Sequence, residues 1–196
     1  MTKHRSPDER AEQILDAARE CFLEKGYFAT KMDAIANASG LSKGGIYFHF
    51  DSKREIFRAL VQQEYDAAMS FIDRVADSDE DFTEMLIELA EHFVQLFAST
   101  DRPRFMVIIG EMALRDEEIA KLLKELQFNY FDRVSQVLEH AIALGELRDV
   151  DTQAVAIVLK ALMDGMQANF AIGIDMDLDR IVGAGLDLLT GGLLPE

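Results

Sequence analysis

Residues 42–50, SKGGIYFHF, gather several groups that bind the phosphates and base edges of nucleic acid. Lys43 supplies an ammonium group, Tyr47 a hydroxyl and His49 an imidazole N–H. The pair Gly44-Gly45 costs about 1 kcal/mol per residue relative to alanine in a helix interior, but without side chains the backbone N–H groups could lie against DNA. This pattern predicts a DNA contact, although glycine pairs are also common in turns and aromatic residues in cores.

Two short helices joined by the turn SGLS position these groups. The first of the pair, KMDAIANAS, is predicted to be capped by Thr30 with Asp33 and to end at Gly40. Ser42 caps the second, and helices of about eight residues need tertiary packing to be stable. A helix pair across a glycine-containing turn is the helix-turn-helix arrangement, whose second helix enters the major groove. That context favours the functional interpretation of residues 42–50 over packing alone.

Nearly every other segment also has a helical period, so the sequence predicts an all-α fold of about nine helices. An N-terminal three-helix unit precedes a larger helical region. We predict a helix-turn-helix DNA-binding domain at residues 1–51 and a ligand-binding and dimerisation domain at residues 52–196. The predicted helices are 6–26, 31–39, 42–50, 52–76, 82–99, 101–114, 116–145, 151–171 and 178–190.

The charge of the chain is unevenly distributed. Its 196 residues carry a net charge of −16, which by itself argues against a nucleic-acid partner. Residues 1–54 nevertheless carry +1 and residues 55–196 carry −17, so only the N-terminal part can approach a phosphate backbone without strong repulsion. No apolar run is long enough for a membrane span, and the N-terminus lacks an apolar signal segment. With one cysteine, these features predict a cytoplasmic protein without an internal disulfide.

The segment ILDAARECFLEKGYFATKMDAIANASGLSKGGIYFHFDSKREIF resembles the DNA-binding domain of the TetR family of bacterial transcriptional regulators. The similarity runs from about Arg10 to Phe57, roughly a quarter of the chain, and residue order and spacing agree throughout. Lys31 stands where the family commonly has a small or hydroxyl residue, and Leu41 where it commonly has valine. These departures concern which operator is read rather than whether DNA is bound.

The resemblance implies a homodimer with one recognition helix for each half-site of a palindromic or near-palindromic double-stranded DNA operator. It also implies release from DNA when a small-molecule effector binds the C-terminal domain, and it favours repression over activation. The candidate DNA contacts, from residue type and from the family pattern, are Thr30, Lys31, Met32, Asp33, Ser42, Lys43, Gly44, Gly45, Tyr47, His49 and Lys53.

Two C-terminal segments are apolar around most of their circumference, one over residues 154–163 and the other over residues 181–194. A helix of this kind must be covered on all sides, and few elements remain in the chain to cover these two. Pairing with a second copy would form a four-helix bundle at a two-fold axis, whereas burial within one subunit is the alternative. The candidate interface residues are Val155, Leu159, Leu162, Met166, Ile181, Leu186 and Leu189.

The sequence gives fewer indications of the effector site than of the DNA contacts. Methionine suits adaptable apolar cavities, and a few polar residues in apolar surroundings could orient a ligand, although each could equally be a packing or surface residue. We expect an apolar or amphipathic small molecule. The candidate ligand contacts are Met106, Glu111, Met163, Gln167 and Phe170.

Signals for other functions are incomplete. Residues 77–88 have the acidic spacing of a calcium loop, but Phe82 stands where that loop requires glycine. Neither His92 nor His140 follows a glutamate by three residues, as a di-iron bundle requires. No nucleophile elbow, phosphate-binding loop or dinucleotide fingerprint is present. We therefore expect no enzyme activity, metal or cofactor; a dimeric interaction module or a cofactor-binding bundle without DNA binding is the alternative.

Overall fold

The computed structural model of the protein describes residues 6–76, 82–97 and 101–194, and most of these residues are helical. In these ranges it forms nine helices and no strand, which confirms the predicted all-α class. None of the described helices is both long and apolar enough to cross a membrane. The helices are α1 (Pro7–Ala29), α2 (Met32–Ser39), α3 (Lys43–Tyr47), α4 (Lys53–Ala76), α5 (Phe82–Leu96), α6 (Asp101–Ala113), α7 (Glu117–Leu144), α8 (Thr152–Ala171) and α9 (Leu178–Leu193).

The helices belong to two compact units. The described residues 6–66 and 108–123 form the first unit, and the remaining described residues form the second. The unit boundaries fall inside α4, α6 and α7, so each of these helices contributes to both units. The predicted functional domains, 1–51 and 52–196, divide the chain at another place and stay a prediction.

Helix α1 begins as predicted and is interrupted near its end. The Ser6 hydroxyl accepts a hydrogen bond from the Glu9 N–H, and the Glu9 carboxylate accepts one from the Ser6 N–H. At Gly26 the backbone takes φ 75° and ψ 164°, a left-handed conformation that favours glycine, and the helix resumes for one short turn. The prediction that the helix ends at Gly26 therefore marks the kink, not the final residue.

Thr30 does not cap α2 as predicted. Its side chain is 1% exposed, and its hydroxyl lies 3.0 Å from the Cys21 carbonyl and 2.8 Å from the Gly26 carbonyl. The N-cap of α2 is Lys31, and no side chain makes a capping hydrogen bond there. The predicted capping pair is wrong because the Thr30 hydroxyl bonds to carbonyls of α1 instead of to an N–H group of α2.

Lys53 completes this connection from the start of α4. Its ammonium group donates 2.6 Å hydrogen bonds to the Tyr27 and Thr30 carbonyls and lies 4.2 Å from the centre of the Tyr27 ring. Burial lowers the pKa of Lys53. The Tyr27 ring also meets the edge of Phe57 at 5.0 Å between centroids. We call Gly26, Tyr27, Thr30 and Lys53 the α1–α4 junction; it joins the end of one helix to the beginning of another.

Helix α3 is shorter than predicted. Ser42 caps it by accepting a hydrogen bond from the Gly45 N–H at 3.1 Å, but the helix has only five residues. The N–H groups of His49 and Phe50 both bond to the Ile46 carbonyl, which tightens the chain into a turn before α4. Ile46 itself is fully buried and anchors the helix in the first unit.

The second unit has an apolar core of its own. Phe82, Leu86 and Leu138 are buried together with Leu193 near the end of α9. A neighbouring cluster contains Phe71, Ile72 and Val75 from α4. Helix α5 packs against α9, so the C-terminal helix is part of this core.

The two glycines at positions 40 and 110 should respond to alanine in opposite ways. Gly40 ends α2 at φ 67°, where a side chain is strained, whereas Gly110 lies inside α6 with open space where an alanine Cβ would lie. We expect Gly40→Ala to lower the free energy of unfolding by about 1–2 kcal/mol. Gly110→Ala should raise it by about 0.5–1 kcal/mol. Urea denaturation followed by circular dichroism measures both, and a stabilising Gly40→Ala would contradict the assigned conformation.

Lys53→Met should destabilise the protein, since it removes two hydrogen bonds from an ammonium group to carbonyls at the end of α1. We expect a loss of about 2 kcal/mol in the free energy of unfolding. Lys31→Met is the matched control because Lys31 is exposed and its side chain makes no capping bond. Equal stabilities of the two variants in urea denaturation would show that the junction contributes nothing.

Candidate nucleic-acid interface

Helices α2 and α3 carry an exposed pair of opposite charges. The Lys43 ammonium lies 2.8 Å from the Asp33 carboxylate, and both side chains are more than half exposed. The hydrogen bond and the charge of Asp33 raise the pKa of Lys43, so this residue stays an ammonium at neutral pH. Both groups face solvent, where either can exchange its partner for a DNA group.

The glycine pair of α3 leaves the helix surface open. A Cβ at Gly44 would come no closer than 4.0 Å to the Ser42 hydroxyl, whereas one at Gly45 would lie 3.3 Å from that oxygen. Ser42 and Gly44 are exposed and Gly45 is half-buried. Tyr47, at the end of the helix, is 43% exposed. The backbone and the phenol of α3 are therefore accessible on one short element.

The other predicted contacts have varied surroundings. Lys31 is exposed, while Met32 and His49 are half-buried. The Thr30 hydroxyl and the Lys53 ammonium are both engaged in the α1–α4 junction. These two residues hold the helix pair in place, and their polar groups reach DNA only by giving up those bonds.

Sequence reasoning missed Phe48. Its side chain is 82% exposed, whereas Phe50 is half-buried. The Phe48 ring meets the edge of His49 at 5.1 Å between centroids. Phe48 keeps a helical backbone conformation and lies four residues after the exposed Gly44, so it points outward, whereas Ile46 points into the core. The only sequence signal was the crowding of aromatics at this point.

The first unit also contains the turn between α6 and α7. Arg54, in the first turn of α4, lies 3.0 Å from Asp116 and 3.2 Å from Glu118. Arg115 lies over the Phe28 ring, 5.4 Å from its centre. We call residues 108–123 the α6–α7 corner. These contacts attach it to the same unit that carries α2 and α3.

The predicted dimer residues in the second unit differ in burial. Val155, Leu186 and Leu189 pack against the inner cluster around Leu138. Leu162 is 60% exposed, and Leu159, Met166 and Ile181 are half-buried. The pattern could not separate the faces, because an all-apolar helix has no polar side to orient it.

A different stripe of small and apolar residues lies on the surface of α8 and α9. Its members recur every three or four residues and are all exposed. We call them the outer stripe: Ala154, Val158, Ala161, Gly165 and Ala168 on α8, Ile172 directly after it, and Ala184, Leu188 and Gly191 on α9.

The predicted ligand residues are also separated. Glu111 is exposed in the first unit and pairs with Arg115 at 3.3 Å. Met106, Met163 and Phe170 are half-buried in the second unit. Gln167 is 4% exposed, and its Oε1 atom has no hydrogen-bond partner among the described residues. Of the five, Met163, Gln167 and Phe170 follow one another at helical spacing along α8.

Comparison with known proteins gives two family matches. Residues 14–60 match the bacterial regulatory proteins of the tetR family. Residues 89–191 match the C-terminal region of BetI-type transcriptional repressors. The first match contains the helix-turn-helix, and the second alone covers more than half of the chain.

The sequence similarity to individual relatives extends over most of the length of both chains. UidR of Escherichia coli K12, an HTH-type transcriptional regulator, is 27% identical over 188 residues, which cover 93% of this chain and 91% of UidR. YfiR of Bacillus subtilis, also an HTH-type transcriptional regulator, is 28% identical over 160 residues, 80% of this chain and 76% of YfiR.

A solved structure has the same fold. The complex of SmeT with triclosan superposes with a TM-score of 0.81 at 25% identity, covering 96% of this chain and 93% of SmeT. SmeT is the repressor of the multidrug efflux pump SmeDEF of Stenotrophomonas maltophilia. With the two family matches and the exposed α3 of the helix-turn-helix, these similarities lead to one assignment. The chain belongs to the TetR family of bacterial transcriptional regulators.

Proposed function

We propose that the protein is a dimeric, cytoplasmic repressor that binds a palindromic or near-palindromic operator through α2 and α3. A small apolar or amphipathic molecule bound in the second unit releases it. The observation that carries this proposal is the accessible surface of α3, where Gly44 and Tyr47 are exposed beside the paired Lys43 and Asp33. Direct DNA binding is favoured over an interaction module without DNA binding, because this surface lies in the nearly neutral N-terminal part.

The contacts divide into those that position the protein and those that read bases. Lys31 at the start of α2 and the Tyr47 hydroxyl on α3 bind phosphate oxygens. Lys43 donates to a guanine edge or a phosphate, and Asp33 accepts from a cytosine amine. In the free protein the two neutralise each other, so a DNA site must replace both halves of the pair. A duplex that satisfies only one half leaves the other unpaired, which favours specific sequences.

Thr30 and Lys53 contribute indirectly. Their polar groups are held in the α1–α4 junction, which fixes the start of α2 relative to the end of α1.

Phe48 joins the proposed surface, where its ring can lie against a sugar or a thymine methyl group.

The dimer forms through the outer stripe. Small residues such as Ala161 and Gly165 allow two helices to approach closely, and Val158 and Leu188 supply apolar area that a single subunit leaves in water. A two-fold pair places its two recognition helices on half-sites about 34–36 Å apart, or one turn of DNA.

Effector binding is coupled to DNA binding through helices that belong to both units. An effector that favours another arrangement of α6 and α7 in the second unit also acts on the α6–α7 corner. Arg54 connects that corner to α4 through Asp116 and Glu118. Repression is supported by the BetI-type repressor match, and a small-molecule effector by the SmeT–triclosan complex.

Tyr47→Phe and Lys31→Met should weaken operator binding without changing stability. The probe is a duplex from the region upstream of the protein's own gene, labelled for fluorescence anisotropy and titrated at several salt concentrations. Lys31→Met removes one ammonium–phosphate contact and should reduce the slope of log affinity against log salt by about 1. Tyr47→Phe removes a neutral contact and should lower the affinity at every salt concentration with little change in the slope.

Lys124→Met is the control for the salt experiment, since it removes an exposed lysine of the second unit. It should leave the slope unchanged. If all three variants bind the duplex as the wild type does, the assigned interface is incorrect. If the wild type itself ignores the duplex at low salt, the interaction-module alternative takes its place.

Leu188→Arg should convert the dimer to a monomer. Leu188 is 76% exposed in the outer stripe, and two-fold symmetry would bring two new positive charges into one interface. Light scattering after size-exclusion chromatography measures the mass. Leu144→Arg, at an equally apolar side chain of α7 that is 61% exposed, should remain dimeric. A dimeric Leu188→Arg would place the interface elsewhere.

A further inference from the structure

We infer that the second unit binds an uncharged, largely aromatic molecule whose hydroxyl or amide N–H donates a hydrogen bond to Gln167 Oε1. This inference rests on the proposed function, because it names the chemical class of the effector. It is carried by the buried amide of Gln167, by the rings beside it and by the balance of charge on the same helix.

Gln167 Oε1 is a buried acceptor to which no described residue donates a hydrogen bond. The residue is 4% exposed, and in the part of the chain that the structure describes Oε1 has no hydrogen-bond partner. An unsatisfied polar atom in such a position is costly and is uncommon in proteins. A ligand that supplies a donor recovers this cost on binding, whereas a ligand with only acceptors does not.

The other buried polar residues of α8 are satisfied, which makes Gln167 the exception on its face. The Thr152 hydroxyl lies 2.7 Å from the Ser135 hydroxyl on α7. Lys160, also buried, pairs with Asp164 one turn further along α8. The inward face of α8 therefore tolerates polar groups where each has a partner.

Aromatic rings lie at the end of α8 next to Gln167. Phe170, one turn after Gln167, packs its ring against Phe97 at 4.6 Å between centroids. Phe97 in turn lies 4.7 Å from Phe93. A ligand that reaches the Gln167 amide meets these flat apolar surfaces, which suit a ring that packs edge-on or offset.

The charges nearest along α8 cancel. The Lys160 ammonium is compensated by Asp164, and it lies 6.0 Å from the centre of the Tyr130 ring. Burial, with Asp164 as a secondary cause, raises the pKa of Tyr130, so the phenol is neutral. A charged ligand that took a counter-ion from α8 would have to break the Lys160–Asp164 pair, which favours an uncharged molecule.

The test uses three probes that share one ring system. These are 2-naphthol, which has a donor; 2-methoxynaphthalene, which has lost it; and 2-naphthoate, which is charged. Isothermal titration calorimetry of the full chain without DNA should show 2-naphthol binding about tenfold more tightly than the ether. The carboxylate should bind more weakly than 2-naphthol.

Gln167→Met removes the acceptor at similar size and should abolish the preference for 2-naphthol over the ether. Asn169→Leu, at an exposed amide two residues further along the same helix, should retain it. Gln167→Met should also raise the melting temperature by about 2–4 °C, since a buried unpaired group is removed.

Several results would overturn the inference. These are no binding of 2-naphthol by the wild type up to its solubility limit, equal affinities for 2-naphthol and the ether, tighter binding of 2-naphthoate, or a preference for 2-naphthol that survives in Gln167→Met. A fall in the melting temperature of Gln167→Met would show that the amide has a partner. Because no DNA is present, these outcomes are independent of the anisotropy titrations that test the proposed function.

Discussion

The first unit depends on how α1 ends. At Gly26 the backbone leaves the helical conformation, and side chains bond to carbonyls near this end of the helix. The Thr30 hydroxyl donates to the carbonyls of Cys21 and Gly26. The Lys53 ammonium, at the start of α4, donates to the carbonyls of Tyr27 and Thr30. These bonds fix the start of α2 and the start of α4 to the same point. The short α2 and α3, which could not be stable alone, are placed between two fixed ends.

The distribution of charge also distinguishes the N-terminal part from the rest of the chain. The N-terminal part is nearly neutral, and its prominent exposed ion pair, Lys43 with Asp33, lies on the proposed recognition surface. The acidic remainder repels a phosphate backbone, which favours an approach of DNA through the nearly neutral N-terminal part.

Much of the fold could be predicted because local signals mark helix ends. Ser6, Ser42, Asp151 and Asp177 cap helices, and the three or four residue spacing of apolar side chains identified the helices between them. What could not be predicted depends on distant partners. Thr30 has the residue type of a helix cap, but its hydroxyl bonds to carbonyls nine and four residues earlier.

The candidate sites were predictable in type more than in detail. The spacing of Lys43, Tyr47 and the glycine pair predicted the candidate DNA-facing helix, but not its early end or the exposed ring of Phe48. On α8 the sequence could not tell the inner face from the outer one, since apolar residues occupy both. Gln167 was singled out as a polar residue in apolar surroundings, and only the structure shows that its acceptor is unpaired among the described residues.

The division of α4, α6 and α7 between the two units bears on how such regulators can be recombined. The unit that holds α2 and α3 is not one continuous stretch of chain, since it includes residues 108–123 as well as the residues up to 66. An exchange of the residues up to 66 alone with another regulator would separate Arg54 from its partners Asp116 and Glu118. A functional chimera would therefore have to transplant the residues up to 66 and residues 108–123 together.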